Sequence, residues 1–284
     1  MSKIAIVTDS TSFIPPDLIK KHNITMIPQV LIWGEQTYQD GVDIQPSEFY
    51  TKLKSAKSMP STSQVSPATM QATFQPLVDQ GFEVIGLFVS SRLSGTMQSA
   101  TQAKELMGAA GAKVNILDSY ATSMSLGLIV LAAARAAEGG ASLTDTLAVA
   151  DKAKNSSGLF FAVDTLEFLH RGGRIGGAQR FIGSALNLKP ILALKEGKVE
   201  GVERIRSKSK AHDRVLELIA EQVTGKSNIR IATLHANAAE EAKALLDRAA
   251  QQLSPVETIF AEVSPVVGTH TGPGTVGLAY SFDV

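Results

Sequence analysis

Short apolar runs alternate with helix-like stretches through the first half of the chain. Residues 3–8 are apolar, end in Asp9-Ser10-Thr11-Ser12, and read as a buried strand. Pro15-Pro16 opens a helix to about residue 22, because a missing N–H does no harm in a first turn. Residues 24–33 read as a second strand turned at Gly34. Pro46 opens a helix to residue 53, and Ser66-Pro67 caps one that runs to residue 79. A strand over 83–89, a helix over 94–107, a strand over 113–117 and helices over 124–137 and 143–154 complete this half. Strands alternating with helices predict a parallel sheet covered on both faces.

The second half has a different pattern. Residues 190–195 and 199–207, separated by Glu196-Gly197-Lys198, read as a hairpin. Strands are expected over 159–163, 228–235, 256–263 and 275–280, with helices over 210–223 and 238–252. A hairpin among crossovers predicts a mixed sheet. The fold class is therefore α/β. We place a boundary near Ser156-Ser157-Gly158, giving an N-terminal α/β domain over 1–157 with a parallel sheet and a C-terminal one over 158–284 with a mixed sheet.

Composition narrows the function classes. Of the 284 residues none is cysteine, which excludes thiol catalysis, disulfides and thiolate metal sites. The 44% hydrophobic content suffices for a core, and the longest apolar stretch is too short for a membrane span. A cytoplasmic protein without an integral membrane segment is expected. The balance of 27 basic and 27 acidic residues hides an asymmetry. Between Arg171 and Arg214 stand eleven Lys/Arg against four Asp/Glu, a surplus of seven that the rest of the chain cancels. That region is built to meet negative charge.

Three hydroxyl clusters fall where strands end or helices begin: Asp9-Ser10-Thr11-Ser12, Ser61-Thr62-Ser63-Gln64 and Ser90-Ser91-Arg92-Leu93-Ser94-Gly95-Thr96. Ligands in open α/β sheets bind at such ends, and helix N-termini favour anions. Ser10, Ser12 and Ser66 read as plain caps; for Thr62 and Ser94 capping and anion contact both stand open. Among the histidines, His22 reads as a helix C-terminal partner, His170 and His212 as surface residues and His235 as a core residue at a strand end. His270 lies in Gly268-Thr269-His270-Thr271-Gly272-Pro273-Gly274, which reads as a loop; the pattern alone slightly favours an ordinary turn. The glycine-rich stretch from Arg171 to Gly177 lacks phosphate-loop spacing, but its arginines could clamp an anion. No metal site is indicated.

Read in order, these motifs, together with Asp40-Gly41-Val42-Asp43-Ile44, Asp118-Ser119 and Arg171-Gly172-Gly173-Arg174-Ile175-Gly176, resemble the DegV family over nearly the whole chain. These are fatty-acid-binding proteins that serve as the lipid-carrying subunit of bacterial fatty acid kinase. Val65 and Met97 depart from a proline and a tyrosine common in the family, and are expected to affect pocket shape. The resemblance implies two α/β domains with a long-chain fatty acid between them. It implies that Thr62, Ser94 and Gly95 hold the carboxylate with His270 close by, and that Arg174, Arg206 and His270 support phosphoryl transfer. Arg171, Arg174, Arg204, Arg206 and Lys208 would face the partner, with Arg204 and Arg206 both open as the functional arginine. That partner would be a separate ATP-dependent kinase subunit making the acyl phosphate. No cofactor is expected beyond the bound fatty acid, and no catalytic residue acts alone. The alternative is a serine-dependent acyl ester hydrolase using Ser94 and His270, although Gly-x-Ser-x-Gly is absent. A nucleic-acid module using the basic segment ranks last, for want of net charge, aromatics or a motif.

Overall fold

A computed structural model describes residues 3–183 and 188–284. The chain runs β1 (Lys3–Asp9), α1 (Pro16–Lys21), β2 (Thr25–Ile27), β3 (Val30–Trp33), β4 (Gln36–Gln39), α2 (Pro46–Lys54), β5 (Ser61–Ser63), α3 (Pro67–Asp79), β6 (Phe82–Phe88), α4 (Thr96–Leu106) and β7 (Val114–Asp118). It continues through α5 (Ser123–Glu138), α6 (Leu143–Asn155), β8 (Ser157–Ala162), α7 (Glu167–Arg171), β9 (Lys189–Lys195), β10 (Lys198–Ile205) and α8 (Lys208–Val223). It ends with β11 (Arg230–His235), α9 (Ala239–Leu253), β12 (Glu257–Ile259), α10 (Pro265–Thr271) and β13 (Val276–Ser281).

These strands form an all-parallel sheet in the order β2-β1-β6-β7 and a mixed sheet in the order β10-β9-β8-β13-β11-β12, as the α/β pattern requires. The β9–β10 hairpin turns at Glu196 and Gly197, both at positive φ. Helices α3 and α4 cover one face of the parallel sheet, burying Met70, Phe74, Ala100 and Ala103 against Val7, Val84 and Phe88. Helices α8 and α9 cover the outer face of the mixed sheet, with Val215, Ile219, Leu245 and Ala249 inward. Between the two sheets lies α5. It touches β1 and β6 on one side and β8, β11 and β13 on the other. Its residues from Ser123 to Leu131 are all buried, as expected of a helix apolar all round.

Four local readings need correction. The run 24–33 is two strands in different sheets. Pro28, which has no N–H for a ladder, breaks it and leaves Gln29 buried in the gap. The released β3 pairs with β4 and β5 in a separate antiparallel sheet, which carries Thr62 opposite Leu31. His270 lies in a helix, not a loop: Ser264 and Pro265 open α10 with the same Ser-Pro pair that opens α3 at Ser66 and Pro67, although only Ser66 caps its helix through the side chain. The strand expected over 256–263 is only three residues long: beyond Ile259 the Ala261 amide donates to the Thr233 hydroxyl instead of a ladder carbonyl, and pairing with β11 resumes only as an isolated bridge of Glu262 with His235. His212 is buried rather than on the surface, since α8 turns Ala211, His212 and Val215 toward the sheet. Among the described residues no helix is long and apolar enough to cross a membrane.

At Gly127 the backbone of α5 passes so close to the turn after β1 that a Cβ would stand 2.5 Å from the Ser12 carbonyl oxygen. Alanine would gain up to about 1 kcal/mol of helix propensity. Forcing two backbones apart in a packed core costs roughly 1–3 kcal/mol. Gly127→Ala is therefore expected to lower unfolding stability by up to about 2 kcal/mol in urea titrations, against the trend for Gly→Ala in a helix.

Candidate functional site

The site forms where strand ends and helix starts converge beyond the first turn of α5. Asp9, at the end of β1, accepts hydrogen bonds from the Thr11 amide at 2.9 Å and the Val89 amide at 2.8 Å. This ties the β1 turn to the end of β6. The carboxyl is fully buried, and desolvation raises its pKa above the usual carboxylate value against these bonds. Before α4, the Ser94 hydroxyl accepts from the Thr96 amide at 3.3 Å and lies 2.9 Å from the Thr96 hydroxyl. Thr96 in turn accepts from Gln29 Nε2 at 2.9 Å. Gly95 is the N-cap of α4, and a Cβ there would meet the Gln64 amide at 2.6 Å. Glycine is what lets Gln64 fold over the helix start.

From the other side comes α10. His270 Nε2 lies 2.8 Å from the Thr62 hydroxyl. Nδ1 is buried without a hydrogen-bond partner and packs on the backbone of Gly172, where a Cβ would stand 2.0 Å from it. The first glycine of Arg-Gly-Gly-Arg thus seats the imidazole. Burial, with the nearby Arg174 guanidinium as a second cause, lowers the His270 pKa to about 4, so the ring is neutral near pH 7. A neutral ring carries one N–H; placed on Nε2 it donates to Thr62 and leaves the threonine hydroxyl proton free for an anion. Arg174 is held by its own bonds, Nε to the Leu93 carbonyl at 3.0 Å and Nη1 to the Gly172 carbonyl at 2.7 Å.

These groups border a cavity of about 860 Å³, its mouth included. Val89, Leu93, Phe161, Leu169, Leu194 and Val199 give it apolar walls, while Thr62, Ser94, Arg174 and His270 line it with polar groups. A second hollow of about 670 Å³ lies against the same Thr62, Arg174 and His270 and adds Arg171, Phe168 and Met59. The threonine–histidine pair and Arg174 are therefore shared by an apolar chamber and an arginine-lined vestibule.

The structure brings Thr62, Ser94, Arg174 and His270 together, with Gly95 beside them. Arg204, Arg206 and Lys208 line neither hollow: Arg204 stacks 5.1 Å from the Phe181 ring, Arg206 is exposed, and Lys208 pairs with Glu241 at 3.0 Å. Other charges of the basic segment are also spent within the chain, Arg171 on Glu167 and Arg214 on Glu203, Glu217 and Glu221. That weakens the field a nucleic acid would need. Val65 and Met97 sit among the residues behind α3 and α4, outside the cavity lining. Ser94 bonds Thr96 and His270 bonds Thr62, so the serine–histidine bond of a hydrolase is not formed. Thr11, from the first hydroxyl cluster, lines the cavity too, and Gln29 and Thr122 line it without having been expected there. For Gln29 the one sequence signal is a polar side chain inside an apolar run. Among the described residues no group of acidic and histidine side chains is placed to hold a metal.

The histidine's lowered pKa sets a stability window. Between the ordinary imidazole value of 6.5 and about 4 the unfolded chain takes up a proton that the folded chain refuses, so stability falls as the pH drops through this range. The full loss is roughly 3 kcal/mol. Urea unfolding of wild type and His270→Gln at pH 7 and pH 4.5 is expected to show a smaller acid loss in the variant. His212 and His235, also lowered by burial, contribute equally to both proteins and cancel.

Comparison with known proteins gives one consistent picture. The family model for the DegV family matches residues 3–283. A DegV domain-containing protein of Halalkalibacterium halodurans is 37% identical over 281 residues, covering 99% of each chain. The structure of a DegV family protein from Thermus thermophilus, described as fatty acid binding, superposes with a TM-score of 0.94 at 36% identity, covering 99% of this chain and 100% of that one. A stearic-acid-binding protein from Eubacterium ventriosum superposes with a TM-score of 0.91 at 26% identity, covering 99% of this chain and 98% of that one. With its whole described length matched in sequence and in fold, the chain belongs to the DegV family.

Proposed function

We propose that this protein binds a long-chain fatty acid in the apolar chamber and presents its carboxylate at Thr62 and Ser94 to a separate ATP-dependent kinase subunit. The observation that carries this is the shared wall: hydrocarbon-lined space on one side, arginine-lined space on the other, and the Thr62–His270 pair with Arg174 between them. Each buried methylene contributes about 0.8 kcal/mol, so a long acyl chain gains on the order of 10 kcal/mol before binding entropy is charged. The tail supplies affinity and the hydroxyls orient the head. Thr62 donates to one carboxylate oxygen while receiving a bond from the neutral His270 ring, and Ser94 donates to the other. Neutral donors leave the carboxylate more nucleophilic than a tight guanidinium pair would.

In the reaction, a carboxylate oxygen bonds the γ-phosphorus of ATP as the bond to ADP breaks, giving an acyl phosphate. Arg174, already fixed by two carbonyls, faces the vestibule through which the phosphoryl group arrives and offsets its charge. Arg171, Arg204, Arg206 and Lys208 form the surface that meets the kinase. Arg206, exposed and outside both hollows, reaches the reacting group once the partner is docked. The two-domain division near residue 157 belongs to the same reading. The cavity takes Thr11, Thr62, Ser94 and Thr122 from the first part and Phe161, Leu194 and His270 from the second.

Two outcomes are expected. Native mass spectrometry followed by organic extraction should find one fatty acid per chain, and Thr62→Ala should weaken retention about 10- to 100-fold, the loss of a hydrogen bond to a charged group. A protein that is empty and takes up neither oleate nor palmitate would refute the carrier reading. Arg174→Ala should keep its lipid yet lower acyl phosphate formation with ATP and the kinase subunit by roughly 100-fold.

A further inference from the structure

Helix α10 delivers His270, yet the helix is only seven residues long and Ser264, its N-cap, makes no side-chain cap bond. A short helix with open first-turn amides is poorly fixed by itself. The missing acceptor comes from far along the chain. Asp40, fully buried, accepts the Val266 amide on Oδ1 at 3.0 Å. Its other oxygen, Oδ2, accepts the Ser10 hydroxyl at 2.6 Å. That hydroxyl oxygen accepts the Gln29 amide at 3.1 Å, and the Asp40 amide donates to the Gln29 carbonyl at 2.9 Å. The Gln29 side chain continues to Thr96, which bonds Ser94. Asp40 therefore stands at the junction of two arms, one running to Ser94 and the other through α10 to His270 and Thr62.

We propose that Asp40 is a positioning residue that caps α10 and so fixes the placement of His270 relative to both Thr62 and Ser94. It touches neither cavity and acts through the helix and through Gln29. The importance given to His270 rests on the fatty acid reading above, but the cap itself does not. Removing the carboxyl leaves the Val266 amide without its acceptor in a buried place, and the end of α10 bearing His270 is then free to leave the Gly172 backbone. Asp9 is the charged group whose field acts on Asp40, and Arg174 the one that acts on His270.

The test is an NMR titration of the His270 ring in delipidated protein, so its result stands whether or not a fatty acid is the ligand. In Asp40→Ala the ring should leave its buried seat, and its midpoint should rise from about 4 toward the ordinary imidazole range, with His212 and His235 signals unchanged as proof of fold. If that variant does not fold, Asp40→Ser takes its place: it is one atom shorter, out of reach of Val266, but keeps a hydroxyl for Ser10. Asp40→Asn, whose amide oxygen still caps Val266, should restore the wild-type midpoint. An unmoved midpoint in a folded Ala or Ser variant would overturn the proposal. So would an Asn variant displaced as far as Ala.

Discussion

Everything in this molecule is arranged around a helix whose residues from Ser123 to Leu131 have no wet face. Helix α5 is packed between a parallel and a mixed sheet, and its apolar side chains from Met124 to Leu131 serve both. Each sheet thereby gains a covered inner face, and neither could bury it without the other. Beyond Thr122, the N-cap of α5, the slot between the sheets is lined by Val89, Phe161 and Leu194 and is filled by no helix. The chamber is thus the unfilled continuation of the core.

A chamber made this way is apolar by default, so its chemistry depends on a few polar groups brought to its rim by irregular pieces. Pro28 frees Gln29 from a ladder. The short β5 carries Thr62, a glycine N-cap brings Ser94, and a seven-residue helix brings His270. Each piece is weak alone and is held by a partner distant in sequence: Gln29 by Ser10 and Thr96, His270 by Thr62 and Gly172. Rigid sheets position these pieces, and buried hydrogen bonds fix them.

The repeating layers were legible in the sequence because their signals are local: period, proline at a first turn, serine caps. The parallel and mixed sheets follow from the order of such elements. The exceptions share one cause. Pro28 inside an apolar run, Ser264-Pro265 before a glycine-rich stretch and His212 on an otherwise polar first turn of α8 all have meaning only in their tertiary surroundings. The site was legible through motif resemblance more than through physics. Thr62 and Ser94 look like any caps until the sheets bring them to one cavity. Asp40 was visible as part of a motif, but nothing near it in sequence points to Val266. The arginines of the basic segment look alike as a string; in space Arg174 alone reaches the chamber, while Arg214 is absorbed by three glutamates.

The order of strands in the mixed sheet bears on how the protein is made. β13 lies between β8 and β11 and pairs antiparallel with both, so the last of the described strands in chain order sits in the interior of the sheet. Until residues 276–281 have left the ribosome, β8 and β11 have no neighbour in common, and α5 lacks the contacts that β13 makes with it. β8, which carries Phe161 into the chamber wall, gains its β13 neighbour only once the chain has reached residues 276–281.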